Sequence, residues 1–367
     1  MAVILQAAMF VTIAVGRVEA QRVLKLGEGR ACDDCTVRIE RVVTLGEAEG
    51  EGYVGYPTGF GRLRNGDWIL VHPENSTQIT LFTPDGRFRR RHGRPGGGPD
   101  EYSWITFLQA GAGDSVRVYD AGLGRLSVLD SNLHAKRWVQ LGTKGPYSVM
   151  FNPDGSFVAA VEVSDIERLG FPLHLFASDG QVLRSFGALR PEYRSDQPRA
   201  LIRSLAPAAL GRVWSGHFLE YTVELWDFDG ELITKYTRDV EWFKPHNHYG
   251  YNGTKPPNPA LISLYQDTAG HLWTLVRVAD ATWQRGVGTL AGPRSSGLGV
   301  KDRAAYYDTI VEVFDVRTGG LLATRRLPDY LVRFDPQGYV VGYREDEAGY
   351  PYVDVYRMHL QPGGRAR

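Results

Sequence analysis

The sequence predicts an all-β chain folded as a six-bladed β-propeller and closed by its N-terminal strand. Three observations lead there. Six strand-like runs (WILV, VRVY, FVAAV, VWSG, LWTLV and YVVGY) each follow directly on a turn glycine, at Gly66, Gly113, Gly155, Gly211, Gly270 and Gly338. A second turn comes later in each of the first five units, at Asp85-Gly86, Ser131-Asn132, Asp179-Gly180, Asp229-Gly230 and Thr318-Gly319. Each unit therefore reads as four strands with tight first and third turns, which is a propeller blade. The sixth unit ends after its third strand, YVDVYRM, so its fourth must come from elsewhere.

The composition agrees. At 367 residues and 43% hydrophobic, the chain is long enough to bury a full core. Its 43 Gly and 20 Pro, with 19 Tyr, 15 Phe and 8 Trp, suit many short strands joined by turns. The 42 basic residues balance the 42 acidic ones, which argues against nucleic acid or an anionic membrane as partner.

Taken in order, the first element is an export signal over residues 1–20. Val3 to Val15 is apolar except for Gln6 and Thr12, too short to span a bilayer, and Val18-Glu19-Ala20 forms a small-residue cleavage pattern before Gln21. The mature chain is expected in the periplasm or secreted, with no integral membrane span. Residues 21–35 form an N-terminal extension holding Cys32 and Cys35, the two cysteines of the chain. In an oxidising compartment a short structural disulfide is the default for such a pair.

The propeller is assigned to residues 36–360. The third strands of the first five units (ITLF, LSVL, LHLF, VELWDF, IVEVF) lead through the second turn into a fourth strand, in several cases closing on glycine, as in RRRHG, WVQLG and RSFG. The segment TVRIERVVTLG, Thr36 to Gly46, ends on the same Leu-Gly as WVQLG and is expected to pair with Val353 to Met358. That pairing removes an open sheet edge. Residues 361–367 remain as a tail.

Between the first two units lies RHGRPGGGPDEY. A phosphate-cradling loop would need a strand, the GxxxxGK[ST] spacing and a following helix, none of which is present. The stretch reads instead as the crossing from the outer strand of one blade to the inner strand of the next, a sharp path that favours glycine and proline, with Tyr102 as its anchor.

These residues carry a family resemblance. The run VELWDFDGELITKY, and LFTPDGRFRRRHGRPGGGPDEY with VRVYDAGLGRLSVLD after it, resembles NHL-type repeats and the secreted six-bladed propellers of bacteria. There a strand ending in Asp-Gly leads into another strand, a Gly-x-Gly-Pro-Gly run and an aromatic. The glycine signature is complete once, with Asp100 where the repeat has Gly and Tyr102 in the aromatic place. The resemblance implies the fold. It selects no activity, because such propellers host both enzymes and binding modules.

Function is expected on one face. Turns between first and second strands, and between third and fourth, point to one side and are tight. The long segments, Ser164 to Pro172, Ala188 to Arg203, Glu241 to Pro259, Val278 to Asp308 and Arg344 to Pro351, all belong to the other. Tyr102, Trp104, Tyr147, Arg199, Arg203 and Arg333 fall at that end of the inner strands and suit a ligand or anion rim. Trp242 and Trp283, with Phe243, Tyr249, Tyr251, Arg285, Arg294, Lys301 and Arg303, join them from the long loops. Aromatic rings with polar neighbours suit a small molecule, a carbohydrate or a peptide or protein partner.

Two further readings stay open. His246 and His248 form a His-x-His pair, with His217 and Glu220 as further donors, and a divalent metal is the cofactor they would imply. The alternative to a binding protein is then a metal-dependent hydrolase or lyase, lactonase-like or amidating-lyase-like, at the same face. That chemistry calls for several acidic or amide residues at the channel end of the inner strands, and the sequence supplies Asn152, Asp267 and Asp335 only beside the tight turns. No GxSxG elbow occurs, and no catalytic residue is assigned.

Overall fold

The structure is a computed structural model that describes residues 22–111, 115–143, 145–187, 189, 193–194, 198–247, 255–283 and 303–363. Six sheets of four antiparallel strands follow one another around a ring. Blade 1 is Gly59–Arg62, Trp68–Val71, Ile79–Phe82 and Phe88–His92, from the inside out. Blade 2 runs Ile105–Ala110, Val116–Asp120, Arg125–Leu129 and Ala135–Gln140; blade 3 runs Ser148–Phe151, Phe157–Ala160, Leu173–Phe176 and Val182–Phe186. Blade 4 is Arg203–Ala208, Arg212–His217, Thr222–Trp226 and Leu232–Thr237. Blade 5 is Ala260–Gln266, His271–Ala279, Tyr307–Asp315 and Leu321–Leu327.

Blade 6 combines Leu331–Phe334, Tyr339–Glu345 and Pro351–Gln361 with the N-terminal strand Thr36–Leu45. The last two pair antiparallel, from Thr36 opposite Gln361 to Leu45 opposite Val353, which closes the ring in the expected register. Val37 and Leu45 are buried there, so a one-residue slip would turn the strand's apolar side chains away from the core.

Burial follows position in the blade. Second strands such as Trp68–Val71 and Phe157–Ala160 are buried along their whole length, because neighbouring blades cover both sheet faces, and their sequences are continuous apolar runs. Outer strands such as Phe88–His92 and Ala135–Gln140 carry the arginines and lysines that blunt a sheet edge. Between blades 1 and 2 the inner strands approach closely. A Cβ on Gly59 of blade 1 would lie 2.5 Å from the Leu108 side chain of blade 2.

The N-terminal extension is part of the architecture. Arg22–Lys25 adds to the outer strand of blade 4 as a fifth strand, in parallel pairing that places Leu24 opposite Tyr236. The chain then passes along the edge of blade 5, where Ala31 N donates to Leu321 O (2.9 Å) and Leu321 N donates to Gly29 O (2.9 Å). It next enters blade 6, so one segment girdles three consecutive blades. Cys32 and Cys35 sit on the way as a disulfide-capable pair, with Cα atoms 5.5 Å apart.

The glycine-rich crossing has an occupant of its own. Buried Arg125 of blade 2 donates to the carbonyls of Gly97 (3.1 Å), Gly98 (3.3 Å) and Glu101 (2.5 Å), so the loop wraps a guanidinium. Asp100 has a left-handed backbone (φ 57°) and its carboxylate accepts from Ala135 N at 2.9 Å, which explains an aspartate at a repeat position for glycine. Tyr102 seals the crossing from below, 1% exposed among the apolar side chains of blades 1 and 2.

Candidate functional site

The six inner strands begin at the long-loop face and end in the tight turns, so their first residues ring one mouth of a central channel. A cavity of about 390 Å³ opens there, lined among others by Tyr56, Phe107, Tyr147, Arg203, Arg277 and Arg333. A second cavity, about 730 Å³, lies at the tight-turn end beside Arg62, Arg117 and Phe151. The first is the candidate site. It gathers cationic and aromatic side chains from five blades.

Each arginine is held differently. Arg333 enters from the inner strand of blade 6 and donates to Thr58 O at 3.0 Å, across the seam to blade 1. Arg203 opens the inner strand of blade 4; its Nη1 donates to Ala200 O (2.7 Å) and Ile202 O (3.0 Å), while its buried Nε has no hydrogen-bond partner. Arg277, near the end of an otherwise apolar second strand, lies 4.3 Å over the Tyr330 ring and 5.5 Å from that of Tyr307. Arg303 lies 4.3 Å over Tyr56 and 5.8 Å from Tyr330, roofing the same aromatic group. Cations over ring faces are attracted by the ring quadrupole, more strongly where water is excluded.

Burial sets the electrostatics. It pulls the Arg203 guanidinium down to about 10 against the opposing charges of Glu224 and Glu220, and it lowers Arg333 as well. Burial pushes the Tyr56 hydroxyl up, with Tyr330 adding to the shift. Asp335 lies at the inner end of the cavity. Its Oδ1 accepts from Gln337 N (2.9 Å) and Tyr339 N (2.8 Å), its Oδ2 is buried without a partner, and burial raises the carboxyl to about 6. Beside Arg203, His217 Nε2 stands 3.1 Å from Glu224 Oε2. Burial and then Arg203 lower that imidazole. Burial works against the Glu224 charge, yet His217 and Arg203 together hold its carboxyl below the ordinary value.

The predicted rim residues take varied positions. Tyr147, Arg203 and Arg333 line the cavity. Trp104 is 54% exposed outside it, its backbone N–H fixed by Asp120 at 3.0 Å, and Arg199 is exposed on the short helical turn Pro198–Leu201. Tyr102 lies in the core, away from the mouth, because Gly93 packs over its ring. Trp242 covers Tyr221 and Phe243, and Trp283 meets Tyr306 edge-on; both pin long loops. Tyr56, Arg277, Tyr307 and Tyr330 were not singled out from sequence. One signal was available, a lone arginine in the apolar run LWTLVRVA.

His246 Nε2 donates to the Pro259 carbonyl (2.8 Å) and its ring stacks on Phe243, while His217 faces Glu224. His248, Tyr249, Tyr251, Arg285, Arg294 and Lys301, like residues 1–20, lie outside the described residues. Among the described residues no three His, Cys, Asp or Glu side chains are grouped to hold a metal ion, and no helix is long and apolar enough to cross a membrane.

Fold and cavity define a six-bladed β-propeller whose channel opens on the long-loop face. Neither the known protein families nor the curated proteins contain a match to the sequence. Among solved structures, the chain is similar to a protein described as exported from Bacteroides fragilis, at 10% identity over 93% of this chain and 100% of that one, with a TM-score of 0.59. It is also similar to a member of the DUF4221 family from Bacteroides vulgatus, at 11% identity over 90% and 99% of the two chains, with a TM-score of 0.60. At such identity the likeness shows the fold.

Proposed function

We propose that the chain is an exported, NHL-like propeller that binds a ligand or partner through the channel mouth on its long-loop face. The observation that carries this is the cavity itself. A concave space of about 390 Å³ is within the range of small-ligand sites, and it is walled by aromatic rings with a few buried polar groups. Tyr147, 41% exposed at the rim, offers flat apolar surface to whatever enters.

Export is proposed on the apolar stretch before Gln21 and on the cysteine pair, with residues 1–20 removed, 21–35 as the strap and 36–360 as the ring. The alternative, a metal-dependent hydrolase or lyase at the same face, would need a ligand set there, and among the described residues no three His, Cys, Asp or Glu side chains are grouped to hold a metal ion.

Two experiments test the reading. N-terminal sequencing of protein recovered from the periplasm should begin at Gln21, and an intact Met1 there would overturn export with cleavage. A thermal-shift screen of small molecules, sugars and peptides should give hits whose shift disappears in Tyr147→Ala and Tyr330→Ala; hits indifferent to both would overturn the site.

A further inference from the structure

The mouth has a chemical bias that narrows what it accepts. Arg203, Arg277 and Arg333 line one cavity, and Arg303 lies over its tyrosine rim. Elsewhere arginines meet carboxylates at contact distance: Arg238 with Glu312 at 2.8 Å, Arg344 with Asp354 at 2.8 Å and Arg326 with Asp308 at 2.5 Å. At the mouth, Arg203, Arg303 and Arg333 have no carboxylate within ion-pair distance among the described residues. Carbonyl oxygens and ring faces take that place.

Such an arrangement is costly when empty. A guanidinium withdrawn from water loses hydration, and dipoles restore only part of it; an anion between the arginines restores much more, because the surrounding dielectric is low. Arg333 is also oriented, its Nη1 tied to Thr58 O and its Cζ 5.8 Å from the Phe107 ring. The planar fork of an arginine held in this way matches a carboxylate or phosphate edge. The remaining lining supplies aromatic wall, since Tyr56, Phe60, Phe107, Tyr147 and Phe334 share the cavity.

The opposing charges are few. Glu224 and Glu220 act on Arg203 from beyond ion-pair distance, with His217 between them. Asp335 is the carboxylate of the cavity wall; it acts on Arg333, and one of its oxygens is committed to the turn at Gln337 and Tyr339. The weight falls on Arg333, the arginine tied to a neighbouring blade, with Arg303 above the tyrosine rim.

We infer that the mouth takes a small molecule with a flat apolar body and a carboxylate or phosphate group, the oxyanion at Arg333 and the body against the tyrosine and phenylalanine rings. This rests on the channel mouth being the binding site. It sets the ligand class within that site.

The test is calorimetric titration of the mature protein with benzoate and phenyl phosphate as anionic probes, benzamide as the uncharged isostere, and inorganic phosphate as an anion without a body. Benzoate or phenyl phosphate should bind about tenfold or more tightly than benzamide, and the stronger of the two names the oxyanion. Arg333→Gln should lower that affinity about tenfold, while Arg62→Gln at the other end of the channel leaves it within about twofold. The benzoate-to-benzamide ratio is read on the unaltered protein, so it stands even if a variant fails to fold. Equal binding of benzoate and benzamide, both lost in Tyr330→Ala, would overturn the oxyanion class and leave the site in place. Inorganic phosphate binding as tightly as phenyl phosphate would overturn the flat body. Anion binding indifferent to Arg333 and Tyr330 would overturn the site as well, and no binding of either anion at about 10 mM would overturn the class.

Discussion

The two faces of the ring are made by the same strands and use their charged side chains in opposite ways. On the tight-turn face, aspartates serve the backbone. Asp154, Asp267 and Asp335 accept from turn N–H groups after inner strands, as Asp130, Asp179, Asp227 and Asp315 do after third strands, at 2.8–3.0 Å. At the mouth on the other face, arginines from blades 4, 5 and 6 converge on a cavity and rest on carbonyls and rings. A turn carboxylate completes a local motif and stabilises its own blade. At the mouth, Arg203 holds carbonyls of its own turn and Arg333 reaches across a blade seam, and their convergence is what a ligand would exploit. One face should therefore answer in stability and the other in binding.

The strongest challenge to that division is Glu312. It accepts from Arg238 (2.8 Å) and Tyr221 (2.8 Å) in a buried network joining blades 4 and 5. Glu312→Ala leaves a buried guanidinium uncompensated and should cost about 3–5 kcal/mol in urea unfolding. A loss under about 1 kcal/mol would show that water reaches the network and that the blade seam is held by apolar packing alone.

Asp335 belongs to both ends of the comparison, since its carboxylate caps a turn and also lines the cavity. Its folded-state value, about 6, lies above the ordinary 3.8, so the native state binds that proton more tightly than the unfolded chain. Its stabilising contribution is complete below the unfolded value and is lost as pH rises through about 6, a change of at most about 3 kcal/mol. The stability difference between Asp335→Asn and the parent should therefore shift in favour of the variant from pH 4 to pH 7 by up to about that amount, measured by urea unfolding at each pH. A difference independent of pH would mean the carboxyl is solvated.

A smaller effect is expected at Asp267, whose carboxylate accepts from Ala269 N (3.0 Å), His271 N (2.8 Å) and Trp273 Nε1 (2.9 Å). Asp267→Ala should cost about 1–2 kcal/mol and leave benzoate affinity unchanged. A change in affinity would couple the two faces. Smallest of all is Trp104→Ala, which removes a ring 54% exposed and should move stability by less than about 0.5 kcal/mol. A larger loss would mean that the ring packs on its blade in solution.

What the sequence determined by itself was everything that repeats locally. Turn glycines such as Gly155 and Gly338 carry φ values of 89° and 80°, a backbone open mainly to glycine, and the apolar runs WILV and FVAA fill strands covered on both sides. The missing fourth strand of the last blade was legible too, because a sheet edge must be paired and Thr36–Leu45 was the segment left over. The strap was not. Arg22–Lys25 is four residues long, and its partner, Leu232–Thr237, lies some two hundred residues away in a parallel pairing that no periodicity announces.

The site divided in the same way. Tyr147, Arg203 and Arg333 were readable as residues at the open ends of inner strands, whereas Tyr102 met the same description and packs in the core. Arg277, Tyr307 and Tyr330 come from the consecutive blades 5 and 6, where their rings and guanidinium meet, and ring closure brings Tyr56, ahead of blade 1, against Tyr330. Backbone conformation is decided by neighbours along the chain, so turns and strands can be read from it. Which side chains share a cavity depends on side-chain direction and on the closing of the ring, and only the tertiary structure decides those.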